Sequence, residues 1–304
     1  MSTLAREGSN ALAACIKITE SVCSLPAVAT QDWCDRAASA LLGIHQPSIC
    51  VCMIGEADSR GNIARQEATG VAGCYVAEVT TTVGRPASSA AIVAFDPNDA
   101  TLARVRTSFA QARDLSWAPG PIGPGSIVTG SPEQFGLGPN WQMSGLGKRW
   151  ADVPYTSLTL GLAALGSAAN GRSLIVEFAR TGPGPTDPES DADLLRAVLV
   201  PMARRALLAV GSDPTDGAHW LTAREQVILQ HLLLGKSVRE IADELGRSPH
   251  TVHDHVKSLH RKLRANSRGE LVAKALGHVE LMQAASQSSA PADAAIAEHN
   301  SQQA

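Results

Sequence analysis

Four histidines, His250, His253, His255 and His260, fall between Ser248 and Leu263, together with Asp254, Lys257, Arg261 and Lys262. Imidazoles in such a group can ligate a metal, accept protons or donate to a partner, and their spacing has to decide. Val252, Val256, Leu259 and Leu263 recur at helical intervals and commit one face of this segment to a core. His250, His253, Asp254, Lys257, Arg261 and Arg264 therefore look away from that core, with His255 at the edge of the stripe as a packed histidine. An aliphatic inner face under an outer face of His, Lys and Arg fits the DNA major groove. Hydroxyls and the helix N-terminus bind phosphate there, while mid-helix side chains reach base edges. A metal shared by His250, His253, Asp254 and His260 would need the same face, so no metal site is expected. Protonation of four imidazoles beside phosphate would strengthen binding in acid, which a comparison of DNA affinity in mildly alkaline and mildly acidic buffer tests.

The elements that position this face are punctuated regularly. Thr222 with Glu225, Ser237 with Glu240 and Ser267 with Glu270 each have the spacing of a capping box. Ser248 followed by Pro249 opens a fourth helix, and Gly235 and Gly246 stop the first two. The spacing predicts helices over 223–234, 238–245, 249–263 and 268–277. The second buries Val238, Ile241, Ala242 and Leu245 and is separated from the third by only Gly-Arg-Ser, the sequence form of a helix-turn-helix.

The stretch from Leu221 to Leu276, with "LTAREQ", "GKSVREIADELGRSPHTVHDHV" and "RKLRANSRGEL" in order, resembles the LuxR-type helix-turn-helix of bacterial transcription regulators. The resemblance implies that the third helix enters the major groove and the fourth contributes to dimerisation. Carried onto this chain, His253, Asp254 and Lys257 face base edges. Arg239, Ser248, Thr251 and Arg261 become phosphate contacts, and Leu271, Val272 and Ala275 become dimer contacts. Asp254 departs from the common pattern, in which an apolar or basic residue stands. A carboxylate there either accepts from a cytosine amino group or pairs with Lys257 or His250 along the helix.

The charge agrees in sign. Between His219 and Glu280 lie seven of the nine histidines and ten Lys or Arg against seven Asp or Glu, +3, within a chain of net charge -3. The 304 residues have room for about two domains. "GSDPTDGA" (211–218) separates the two charge regimes, so the expected division is a domain over 1–210, a linker over 211–218 and a DNA-binding domain over 219–280. A small, polar tail over 283–304 is expected to be disordered. No apolar run reaches the ~18 residues of a membrane span. The start has no basic segment followed by an apolar one, so a cytoplasmic location is expected.

Upstream, 31–43 reads as an amphipathic helix, and 48–56 and 62–71 read as strands around the turn "DSRG". The runs 155–165 and 172–180 flank Asn170-Gly171 as a hairpin. A helix over 191–210 should be kinked or bounded at Pro201. Residues 118–147, with five Pro and eight Gly, read as a long loop. The order of elements is similar to GAF-like or PAS-like sensor modules. The expected fold is therefore multidomain: an N-terminal α+β antiparallel sheet with helices, plus a C-terminal all-α four-helix LuxR-type helix-turn-helix. A small-molecule pocket under the Pro/Gly loop, walled by Trp117, Trp141 and Trp150, follows from the sensor resemblance.

All six cysteines lie in the first quarter, and Cys50-x-Cys52 shares one strand face. They read as small buried hydrophobes, against a redox or metal role with Cys74. "SGLGKR" lacks the glycine spacing and the Ser or Thr of a phosphate loop, and no nucleophile elbow or His-Glu-x-x-His occurs. No cofactor and no enzymatic activity are expected. Double-stranded DNA, a second copy of the chain, a small-molecule ligand and RNA polymerase are the partners. The competing reading is a protein-interaction module recruited to RNA polymerase or another regulator without direct DNA contact.

Overall fold

The computed structural model describes residues 16–57, 63–79, 89–96, 99–111, 123, 125–138, 140–165, 172–182, 188–210 and 220–277. The expected linker over 211–218, the expected tail over 283–304, Asn170-Gly171 and Trp117 lie outside them. The chain divides into two compact units, Met1–Ala223 and Arg224–Ala304.

The first unit is a six-stranded antiparallel sheet with helices on both faces. Its strands are β1 (Ser48–Ala57), β2 (Ile63–Val79), β3 (Ser89–Ala94), β4 (Ile127–Gly130), β5 (Ser157–Leu165) and β6 (Arg172–Arg180). They lie in the order β3-β2-β1-β6-β5-β4. The helices are α1 (16–23), α2 (Trp33–Leu41), α3 (Ala100–Ala110), α4 (Gly145–Trp150) and α5 (Pro188–Val210). Strand alternation separates two cores. Cys50, Cys52, Ile54, Leu174, Val176 and Phe178 point to the face covered by α1, α2 and α5. Ile49, Val51, Met53, Leu160, Leu162 and Ile175 point to the face covered by α3 and α4. Both faces are thus committed to packing, which is why β1 and β6 read as nearly continuous apolar runs.

Two buried arginines on β6 fasten α5 to the sheet at both ends. Arg180 donates to both Asp191 oxygens, at 2.9 and 3.0 Å, in the first turn of α5. Arg172 donates to the Val210 carbonyl at 3.1 Å at the other end and to Glu67 at 2.6 Å. The match is one of length. Nine extended residues span about 27 Å, and a helix from Asp191 to Val210 rises about 28 Å, so the two arginines reach opposite ends of α5 while its body packs on the neighbouring β5, where Leu195 and Leu199 meet Gly161. α5 continues through Pro201 as one helix, so of the kink or boundary expected there the boundary is excluded. The proline removes the donor for the Ala197 carbonyl, and Ala197 is exposed, so solvent is available to replace that donor.

The Pro/Gly-rich stretch is also corrected. Within 118–147 lie the edge strand β4, a 3₁₀ turn at Trp141–Met143 and the start of α4. Trp141 and Trp150 are buried core residues rather than pocket walls. Each indole N–H is held by a carboxylate, Trp141 by Glu133 at 2.8 Å and Trp150 by Glu177 at 2.6 Å.

Gly70 on β2 marks the closest approach of sheet and helix. A Cβ there would lie 2.0 Å from the Asp35 nitrogen and 2.1 Å from the Cys34 carbonyl carbon. Beside it, the Asp35 carboxylate accepts from the Val71 amide at 3.0 Å. Gly70→Ala therefore pushes α2 off β2, with an expected loss of about 1–3 kcal/mol in denaturant unfolding. An unchanged midpoint would show that this contact is looser than described.

The second unit consists of α6 (Ala223–Leu233), α7 (Val238–Leu245), α8 (Pro249–Lys262) and α9 (Arg268–Ala275), the four expected helices to within a residue or two at their ends. No helix among the described residues is long and apolar enough to cross a membrane.

Candidate nucleic-acid interface

The turn between α7 and α8 is built from local signals. Ser237 and Glu240 form a complete capping box at the start of α7, which holds the Glu240 carboxyl below its usual range through bonds to Ser237. At the other end Gly246 is left-handed, with φ 58°. The Arg247 amide returns to the Ala242 carbonyl at 2.9 Å, closing the helix as a Schellman motif. Ser248 then caps α8 by accepting from the Thr251 amide at 3.1 Å, and Pro249 occupies the first helical position.

The inner face of α8 is anchored in two ways. Val252 and Leu259 are buried against a core that includes Ile241 and Ala242 of α7, while Val256, Leu263, Val238 and Leu245 are half-buried around them. On the flank toward α6, the buried Glu225 carboxylate accepts from Ser258 Oγ at 2.7 Å and from Lys262 Nζ at 2.7 Å. The sequence offers Glu225 as a local cap partner of Thr222 and gives no sign of this long-range role. The third box is likewise shifted, since the Glu270 carboxylate accepts from the Asn266 amide rather than that of Ser267.

The outer face is as expected. His250, His253, Asp254, Lys257 and Arg261 are all exposed. Arg264 is exposed too but lies past the helix end with φ 50°. Asp254 sits between His250 and Lys257, 3.2 Å from His250 Nδ1 and 4.0 Å from Lys257 Nζ. Arg239, Ser248 and Thr251 are exposed near the same end of α8, with the two hydroxyls 2.9 Å apart. The histidines separate by environment. His253 is exposed with no side-chain partner among the described residues, His255 is half-buried, and His260 Nδ1 lies 2.8 Å from the Ala265 carbonyl. Of the three α9 residues, Leu271 is fully buried within this unit and anchors the helix, while Val272 and Ala275 are half-buried.

In the first unit, a cleft of about 990 Å³ opens between α1, α2, α3 and the β2–β3 edge. Its floor includes Ile18, Leu42, Phe95 and Leu102, and its rim carries Lys17 and the Asp35–Arg106 ion pair, 3.1 Å apart. It lies away from Trp141 and Trp150, neither of which lines it. Cys34, Cys50, Cys52 and Cys74 are buried free thiols in one core. Burial pushes the Cys34 and Cys50 thiols up and so disfavours the reactive thiolate. Among the described residues no three His, Cys, Asp or Glu come together as metal ligands.

Residues 219–275 match the GerE model, described as bacterial regulatory proteins of the luxR family. This segment is a LuxR-type helix-turn-helix domain, the DNA-binding type of domain found in transcription regulators. No curated protein matches the chain. Among solved structures, Escherichia coli SdiA is similar at 17% identity, covering 76% of this chain and 84% of that one, with a TM-score of 0.26. SdiA in complex with octanoyl-rac-glycerol is similar at 13% identity, covering 87% and 88%, with a TM-score of 0.28. A phage VqmA–DPO complex is similar at 16% identity, covering 78% and 87%, with a TM-score of 0.20.

Proposed function

We propose that the protein is a sequence-specific transcription regulator that binds duplex DNA as a homodimer through the outer face of α8. The supporting observation is that His250, His253, Lys257 and Arg261 all face solvent over a buried aliphatic stripe. His253, Asp254 and Lys257 read base edges, and Arg239, Ser248, Thr251 and Arg261 hold phosphates on either side. Asp254, 4.0 Å from the Lys257 ammonium, biases that side chain over the groove and rejects acceptor-rich edges, which narrows sequence preference. Val272 and Ala275 supply dimer contacts on a helix that Leu271 anchors. A two-fold dimer then spaces its two α8 helices about one turn of DNA apart.

The cleft in the first unit takes the controlling small molecule, an amphipathic one by its apolar floor and charged rim. In vitro selection with the full-length protein tests the reading, and an inverted repeat is the expected product. Lys257→Ala lowers affinity for the selected site by about 1–3 kcal/mol and relaxes one position. Arg261→Ala weakens selected and scrambled duplexes alike. Failure to enrich any sequence, with RNA polymerase captured by the purified protein without DNA, favours the interaction-module reading.

A further inference from the structure

Beside the N-terminal half of α8 is a crease of about 150 Å³ within the second unit. Its floor is Val227, Ile228, Leu245 and Val252, and its rim is Arg224, Arg247, Thr251 and His255. Three facts about the rim belong together. Arg224 and Arg247 are exposed and carry no side-chain hydrogen bond or ion pair among the described residues. By contrast Lys236, Lys262 and Lys274 of the same unit are each paired with a glutamate. No carboxylate lines the crease, so the two arginines, the threonine and the histidine on its rim border a space with no counter-charge of its own.

We infer that this crease seats one backbone phosphate of the duplex. The inference rests on the reading of α8 given above and extends it to residues that the helix face does not include. At 100° per residue, Thr251 and His255 lie on one flank of α8, between the outward face of His250, Asp254 and Lys257 and the buried stripe. A helix lying in the major groove turns its outer face to the bases and its flanks to the groove walls, and those walls are phosphates. The crease is large enough for a phosphate group. Guanidinium forks match phosphate oxygens in pairs, and two of them on opposite sides of one anion fix where the helix sits along the groove. The seat therefore sets the register of α8 without reading sequence.

Full-length protein carrying Arg224→Gln, Arg247→Gln or both is titrated against the selected duplex and a scrambled one over a range of salt. Each single substitution should weaken both complexes about ten-fold, with an unchanged thermal midpoint showing that the fold is intact. Because the two side chains share one phosphate, the double variant should lose much less than the hundred-fold product. Its salt slope should fall by about 0.9 per protomer, about 1.8 for the dimer, the value for one phosphate in each half-site. A single uncharged methylphosphonate in each half-site should reproduce the loss in the parent protein and add nothing in the double variant. Parent-like affinity and slope in the double variant would overturn the seat, as would a slope reduced by about 3.6 for the dimer with sensitivity at two separate phosphates in each half-site. A parent protein that ignores both duplexes would overturn the reading of α8 itself.

Discussion

Glu177→Ala should destabilise the first unit by about 3–5 kcal/mol. Glu177 is fully buried on β6, the strand to which both β1 and β5 pair. One carboxylate oxygen accepts from Arg149 Nη2 and the other from Trp150 Nε1, both at 2.6 Å. Arg149 is itself buried, its guanidinium 5.1 Å from the centre of the Phe109 ring. Removing the carboxylate leaves that cation in the core without its counter-charge, and the packed aromatic surroundings leave little room for water. Glu177→Gln keeps the shape and one acceptor, so its loss should be smaller. All five tryptophans precede residue 224, so tryptophan fluorescence during denaturant unfolding reports on this unit. A shift worth under about 1 kcal/mol for Glu177→Ala would mean that the pair is hydrated and contributes as a surface ion pair does.

Leu259→Ala should cost the second unit about 2–5 kcal/mol. Leu259 is completely buried under α8, two residues before Arg261 and one after Ser258, which bonds Glu225. The shortened side chain leaves a void beneath the helix while every outward group stays in the sequence. Faster amide exchange along α7 and α8 should accompany weaker binding to selected and scrambled DNA alike, because the face is intact but no longer held. Unchanged exchange in α8 would show that the stripe is not what fixes it.

These two sites also mark what the sequence reveals and what it hides. The helices of the second unit are legible because their limits are set within a few residues. Ser237 meets Glu240, Gly246 takes a positive φ, and Ser248 precedes Pro249. The periodic stripe Val252, Val256, Leu259 and Leu263 fixes which side of α8 is outside. In the first unit β1, β5 and β6 announce themselves as apolar runs, while β2 is placed by the turn before it and extends past the expected end at Val71. β4 is only four residues long in a glycine-rich stretch, and α3 has just three buried side chains, Leu102, Val105 and Phe109. Neither makes a pattern strong enough to stand out. Long-range polar partners have no local signature at all. Glu177 meets an arginine 28 positions earlier, and Glu225 meets a lysine 37 positions later. Glu225 reads only as a cap partner of Thr222 for that reason, with nothing to announce Ser258 and Lys262, and the tryptophans are misplaced as pocket walls because their carboxylate partners lie elsewhere in the chain.

Affinity of the full-length protein for its selected duplex, measured against salt concentration, tests the central claim most directly. Arg239, Arg261 and the seat formed by Arg224 and Arg247 neutralise three phosphates per protomer, so the log–log slope should be about -2.7 per protomer and twice that for a dimer. Binding that does not change with salt, or no binding at low ionic strength, would contradict a cationic α8 face lying in the major groove.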